Sequence, residues 1–366
     1  MDIVLLAASL GLILVGAELF TNGIEWFGHK LNLAEGAVGS VLAAVATAMP
    51  ETLIPVIAIV GPLVVGGHAG DSAEVGVGAI LGAPFMLSTL AMFVTGLGVL
   101  VISRGGRRST QLTVNVRVLG RDVLVFVGAY AVAVGTAFLP PSVHGLKWPL
   151  AAGLLVAYGF YVRAHFRDEP GESDPADLNR LHLTRLAGRA ATPAAVVEPG
   201  QPASVLVPRL RIIIAQVLLA LTAIVVGAQV FVGAVEDLSR VIGLDPRILA
   251  LVLAPIATEL PEKLNSLLWV RVGKDTLAMG NITGAMVFQS CIPTLLGIAF
   301  TEWAFTEQSA LSFASAGAAF LATILIFGTM FRAGRLSAWT LLAGGPIYLL
   351  YVVAAVTLPV PIASVH

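Results

Sequence analysis

Apolar runs of about 20 residues, enough to cross a hydrocarbon layer ~30 Å thick, recur along this chain. They lie near 3–27, 36–65, 73–101, 119–139, 147–165, 209–234, 246–271, 275–301, 307–331 and 337–360. This pattern predicts an all-α integral membrane protein of ten transmembrane helices. The second, third and eighth runs are long or interrupted by Pro and Gly, which predicts broken helices lining a cavity at the midplane. One polar stretch, 166–208, interrupts the pattern and carries six prolines with mixed charges. It reads as a tether between two halves, 1–165 and 209–366. A short amphipathic helix is expected within it at 177–189, with Leu178, Leu181 and Leu186 on one side.

Composition agrees with a bilayer environment. The 366 residues are 57% hydrophobic and 12% charged, against about 25% charged in soluble domains. The net charge of −1 gives no pull toward nucleic acid. Cys291 is the one cysteine, which excludes an intrachain disulfide and a cysteine-based metal cluster. The N-terminus lacks the positive region of a secretory signal and reads as the start of a retained helix. No His-Glu-x-x-His and no phosphate-cradling loop is present, which argues against a metalloprotease and an ATP-driven pump.

Basic residues give an orientation. Arg104, Arg107, Arg108, Arg117 and Arg121 lie between the third and fourth runs, and Arg163, Arg167, Arg180, Arg185 and Arg189 between the fifth and sixth. Arg271 and Lys274 follow the seventh run, and Arg332 and Arg335 the ninth. Strict alternation places all of these on one face, expected to be cytoplasmic together with the 166–208 loop. Both termini are then expected outside the cell membrane.

The chain also repeats itself. Shifted by 211 positions, Gly16–Glu51 overlies Gly227–Glu262 without a gap, with 12 identities in 36. These include Glu25/Glu236, Ala46/Ala257, Thr47/Thr258, Pro50/Pro261 and Glu51/Glu262. Further on, the segment Gly78 to Ala83 overlies Gly280 to Ala285. An odd number of spans per repeat, five, makes the two repeats enter the membrane in opposite senses, the plan of transporters that bind substrate between repeats.

The chemistry follows from where acids fall. A carboxylate at a helix centre in the bilayer costs roughly 2.5–3.5 kcal/mol on insertion scales, and Glu51 and Glu262 incur it twice in matching settings. Each follows a proline, and a proline in a helix frees the carbonyl four residues back, here Ala46 and Ala257. Carboxylates, freed carbonyls and threonine hydroxyls are hard oxygen ligands of the kind Ca²⁺ takes. Glu259 lies three residues before Glu262, on roughly the same helix side, where it binds an ion or a proton or is neutralised by Lys263. Asn281, Thr283 and Gln289 bring polar groups into the eighth run, as site residues or as interhelical glue. Glu18 is a weaker candidate, and Glu25 and Glu236 belong near span ends.

These motifs resemble the cation/calcium exchanger superfamily, whose repeats carry Gly-Thr-Ser-x-Pro-Glu followed by Gly-Asn-x-x-Gly-Ser-Asn-x-x-Asn or Asp. The resemblance implies Glu51 and Glu262 as central cation ligands, with Thr47 and Thr258 beside them and Gln289 and Asn281 at the following motif's polar positions. The chain departs from the pattern at Ala46, Ala48, Ala79, Ala83, Leu87, Ala257, Glu259 and Ala285. Several positions that resemble sodium ligands are thereby replaced.

A pocket with two or three carboxylates cannot easily cross a bilayer empty and ionised. If only charge-compensated states interconvert, exchange is obligatory. The expected function is a secondary-active antiporter exchanging Ca²⁺ for Na⁺ or H⁺ by alternating access. It needs no cofactor, and its partners are the lipid bilayer and inorganic cations. An antiporter for another cation (Mg²⁺, Mn²⁺, K⁺ or Na⁺/H⁺), or a non-transporting sensor or scaffold on the same fold, stays open. The oligomeric state is not legible.

Overall fold

The computed structural model describes residues 2–48, 51–52, 55–56, 59, 70–106, 108–168, 178–186, 195–196, 207–242, 259–307 and 309–357. Eight helices among them are long and apolar enough to cross a membrane, and each matches one predicted run. The other two predicted runs, 36–65 and 246–271, are described only in part.

The first run forms α1 (Asp2–Lys30). The second begins as a π-helix, Ala37–Ala43, passes into α2 (Ala44–Thr47) and leaves the helical region at Ala48, whose ψ is 4°. The third run is α3 (Gly70–Met86), a π-turn at Leu87–Ala91 and α4 (Met92–Ser103). Then come α5 (Val116–Thr136), α6 (Lys147–Phe166), the short α7 (His182–Leu186) and α8 (Leu210–Ile242). The second half continues as α9 (Leu260–Arg271), α10 (Asp275–Phe300), α11 (Ala310–Ala333), α12 (Ala338–Leu341) and α13 (Gly344–Thr357). The described residues also include a 3-10 helix, Pro141–Leu146, and two antiparallel two-residue ladders: β1 (Gln111–Leu112) with β4 (Leu336–Ser337), and β2 (Ala195–Val196) with β3 (Val207–Pro208).

Three expectations change. The third and eighth runs are not broken. Pro84 is absorbed inside α3, ahead of the wide π-turn, and α10 continues through Pro293. Pro261 does not free a carbonyl inside a helix but opens α9 in its first turn, where a missing N–H has no helical partner to lose. Ala257 lies outside the described residues. Among the described residues of the tether the helix is α7, shorter than the expected 177–189, whose remaining positions at 177 and 187–189 lie outside the described residues, and Leu181 is fully buried against Trp26 and Ile213. That segment is pinned to the bundle: Asn22 and the Trp26 indole both donate to the Asn179 carbonyl, and Gln216 accepts from Leu183 N–H.

The bundle has an apolar outside, and its largely apolar interior encloses a set of buried polar groups. Leu124, Phe160, Ile324 and Leu350 are exposed, whereas Glu51, Asp122, Glu259, Glu262, Asn281 and Gln289 are buried. At its centre stands α10, buried at every position from Asp275 to Cys291, with its polar side chains turned to neighbouring helices and not to lipid. It packs on α5, α6, α9, α3 and both pieces of the second run.

Helix directions follow from close contacts. A Cβ on Gly16 would meet Ala220 and Ile224, and one on Gly227 would meet Ser9 and Ile13. Hence α1 and α8 run antiparallel. Under the 211-residue offset Ser9 and Ile13 correspond to Ala220 and Ile224, so the two contacts are one contact seen from both partners. At one end of the bundle Arg108 pairs with Asp275 at 2.7 Å, Asn115 N–H donates to Thr276, and β1 meets β4. Also at that end, Lys274 and the Trp269 indole hold Glu25. Arg121 grips Asp168 through two bonds of 2.8 and 3.0 Å, holding that carboxyl below its usual range. At the other end Phe305 N–H donates to Ala137 and the Trp303 indole to Ala133. The connections grouped by charge in the sequence are thus also grouped in space.

The tightest crossing is between α10 and the π-helix. A Cβ on Gly284 would lie 2.0 Å from the Ser40 carbonyl oxygen, and one on Gly280 would lie 2.7 Å from the movable Ser40 hydroxyl. Backbone cannot yield as a side chain can. Gly284→Ala is therefore expected to cost about 1–3 kcal/mol and to lower the melting temperature of the detergent-purified protein more than Gly280→Ala. Gly317→Ala, on the exposed side of α11 with nothing within 4 Å, is the control and should leave it unchanged.

Candidate ion-binding site

The second run ends its helix at Thr47, and α9 starts its own at Leu260. Both interruptions fall where the repeated Pro-Glu pairs lie, so both glutamates are delivered from helix ends. Glu262 occupies the first turn of α9, where the dipole favours negative charge. Glu51 is 7% exposed and Glu262 fully buried. All four of their carboxylate oxygens lack a hydrogen-bond partner among the described residues.

The surrounding groups converge from three elements. Thr47 donates to the Asn281 side-chain oxygen at 3.3 Å, and Asn281 donates to the Glu262 carbonyl at 3.4 Å. The Thr47 hydroxyl also faces the Glu262 carboxyl. Glu51 lies in electrostatic reach of Glu262 and then of Glu259. Thus Thr47, Glu51, Glu259, Glu262 and Asn281 form one buried polar group between the second run, α9 and α10. Gln289, two turns further along α10, is buried, and neither of its amide atoms has a partner among the described residues. Thr258 lies outside the described residues.

Glu259 differs from the other two acids. Lys263, one turn later and 4% exposed, places its ammonium 3.0 Å from the Glu259 carboxylate. The described residues contain no group of three or more His, Cys, Asp or Glu side chains arranged to hold a metal ion. The arrangement is instead two unpartnered carboxylates flanked by amides and hydroxyls, with a third acid already paired. Glu18 stays apart: its side chain is 56% exposed and 3.5 Å from His182.

Two buried features were not legible in the sequence. Asn265, one turn after Glu262, is fully buried with neither amide atom partnered. Asp122 of α5 is fully buried beside a fully buried His165 of α6. Asp122 stands next to Arg121 near a span end, where an acid reads as interfacial. The hint available was that Thr283, Ser40 and Tyr161 are polar positions inside apolar runs.

An uncharacterized membrane protein of Methanocaldococcus jannaschii is 21% identical over 283 residues, covering 76% of each chain. Structures of the sodium-calcium exchanger NCX_Mj superpose along the whole length. The form soaked with 2.5 mM Na⁺ and 0.1 mM Ca²⁺ gives a TM-score of 0.67 at 16% identity, covering 98% of both chains. The form with 2.5 mM Na⁺ and 10 mM Sr²⁺ gives 0.68 at 16% identity, covering 98% of this chain and 99% of that one. At such identity the likeness establishes a common fold. The sodium/calcium exchanger family profile matches residues 1–166 and 212–357, leaving out the tether. This chain therefore belongs to the sodium/calcium exchanger protein family and is a multi-pass membrane cation antiporter, not an enzyme.

Proposed function

We propose that this antiporter moves Ca²⁺ in exchange for Na⁺ or H⁺, with Glu51 and Glu262 as the central ligands. Thr47, Thr258, Asn281 and Gln289 complete the shell, and Glu259 sets its charge. The observation that carries the reading is the four buried carboxylate oxygens of Glu51 and Glu262 without a hydrogen-bond partner among the described residues. Buried acceptors are ordinarily satisfied, and hard oxygen donors of this kind suit Ca²⁺.

Charge arithmetic supports the same conclusion. Glu51, Glu259 and Glu262 bring three negative charges when ionised, and the Lys263–Glu259 pair removes one with one positive charge. Two remain, matched by one divalent cation, two monovalent cations or two protons. A low-dielectric bundle passes between its outward and inward states only when these are balanced, which makes exchange obligatory.

Alternating access is commonly built on repeats that rock against each other around a fixed site, in many folds related by inversion. The reciprocal antiparallel contact of α1 with α8 supports two inverted five-span repeats, ten spans in all. The second and seventh runs are broken at the site in that scheme. The grouping of the basic connections supports a cytoplasmic face that carries the 166–208 tether, with both termini outside.

Two expectations follow. In proteoliposomes, ⁴⁵Ca²⁺ uptake is expected under an imposed Na⁺ or pH gradient. Loss of one ligand charge in Glu51→Gln or Glu262→Gln should reduce it at least ~10-fold, equivalent to ~1.4 kcal/mol. Uptake unchanged in both variants would remove the two-carboxylate site. Lys263→Met leaves Glu259 buried and unpaired, so it should destabilise the protein by about 3–5 kcal/mol. The double variant Lys263→Met/Glu259→Gln should recover most of that loss in thermal unfolding.

A further inference from the structure

Within the polar group around Glu51 and Glu262, the Glu259–Lys263 pair is already charge-balanced. Glu259 stands at the N-cap of α9, and Lys263 lies one turn on. Lys263 Nζ is 3.0 Å from Glu259 Oε2, and the two side chains are 5% and 1% exposed. The Lys263 backbone N–H also donates to the Glu259 carbonyl at 3.3 Å, so main chain and side chain both join the two residues. The Lys263 ammonium and the Glu259 carboxylate are each within electrostatic reach of Glu51 and of Glu262. From α13 the group facing Glu259 is Tyr348, whose ring stacks on Phe85 of α3.

The net charge of the pair does not depend on where its proton lies. Carboxylate with ammonium and carboxylic acid with amine both sum to zero. An ammonium in contact with a buried carboxylate takes the place of a bound monovalent cation. It differs in being tied to α9 by a four-carbon stem, so it cannot leave.

The carboxylates left open are Glu51 and Glu262, whose four oxygens have no partner among the described residues. Other buried acids nearby have partners within the protein. Asp122 accepts from the Ser40, Thr283 and Tyr161 hydroxyls and faces His165 Nε2. Lys274 holds Glu25, and Arg108 holds Asp275. Thr47 and Asn281, which border the open pair, are uncharged. The group therefore presents two charges to mobile ions, although it contains three acids.

We propose that the Lys263 ammonium is a tethered third cation that fixes the stoichiometry of exchange at one Ca²⁺ for two monovalent cations, with no net charge moved per cycle. This rests on the proposed Glu51–Glu262 cation site and adds the count of ions that the site takes. Three open carboxylates would take three monovalent ions in place of one Ca²⁺ and move one charge per cycle. With the third position filled by Lys263, one Ca²⁺ and two monovalent cations each bring the open pair to zero. Both loaded states are then neutral, the condition for crossing a low-dielectric layer at least cost. Lys263 is bound in both states and drops out of the cycle.

The test is steady-state accumulation of ⁴⁵Ca²⁺ in proteoliposomes of the full-length protein. Uptake is driven by whichever of the Na⁺ and pH gradients supports it, and K⁺ with valinomycin sets the membrane potential. One net charge per cycle would change the accumulation ratio roughly 50-fold per 100 mV, the equivalent of ~2.3 kcal/mol per charge. Wild type is expected to change less than about twofold over the same ~100 mV. This arm needs no variant to fold. Lys263→Met opens Glu259 to a third mobile cation, so its accumulation ratio is expected to gain a potential dependence approaching ~50-fold per 100 mV. Lys263→Met/Glu259→Gln removes both charges of the pair and should return to less than about twofold, a reversal that lost packing alone does not produce. A wild-type change near 50-fold, with uptake abolished in Glu51→Gln, overturns the tethered cation and leaves the cation site standing. A Lys263→Met protein that accumulates Ca²⁺ without potential dependence overturns the role of Lys263. Absence of wild-type Ca²⁺ uptake under both gradients overturns the cation assignment and this inference with it.

Discussion

Between Gly284 of α10 and the Ser40 carbonyl of the second run there is no room for a side chain. This backbone contact sets the register of the two segments, and the polar centre depends on it. It lets Asn281 reach both Thr47 and the Glu262 carbonyl, and it lets Asp122 collect hydroxyls from Ser40 and Thr283. Helices in lipid gain nothing from hydrophobic contact with one another, so close packing and interhelical hydrogen bonds must hold them together. Here one glycine-lined crossing supplies the packing, and two polar clusters on opposite faces of α10 supply the hydrogen bonds.

The two clusters are satisfied in opposite ways. Asp122 is surrounded by donors, while Glu51 and Glu262 present carboxylate oxygens that the described protein leaves unpartnered. Only the second arrangement suits a ligand that must arrive and leave. Lys263 adds a fixed charge that compensates Glu259 and leaves the remaining pair with a balance of two. Under the proposed assignment, a transporter built this way is constrained first by charge balance. Its reluctance to cross with that charge uncompensated is the same electrostatic cost that makes buried carboxylates rare in membranes.

Much of this was legible from residue patterning. Eight helices fall on predicted runs, and the repeated Thr-x-x-Pro-Glu marks where both site segments interrupt their helices. Glu51, Glu262 and Asn281 lie in one buried polar group. Other features depend on tertiary contacts and have no local signal. The third and eighth runs read as broken, yet α3 contains Pro84 ahead of a π-turn and α10 continues through Pro293. The glycines of α10 marked tight packing, and whether that meant a break or a crossing depended on Ser40, more than 200 positions away in sequence. Asp122 and His165 both sit near span ends, where a charge is ordinarily solvated; their full burial arises only when α5, α6 and α10 meet.

Equilibrium ⁴⁵Ca²⁺ binding to the detergent-purified chain tests the central claim most directly, because it needs neither a gradient nor a known coupling ion. The account predicts saturable binding of one Ca²⁺ per chain, displaced by Na⁺ or by acid, and lost in the Glu51→Gln/Glu262→Gln double variant. Binding of equal affinity and stoichiometry in that variant would contradict it.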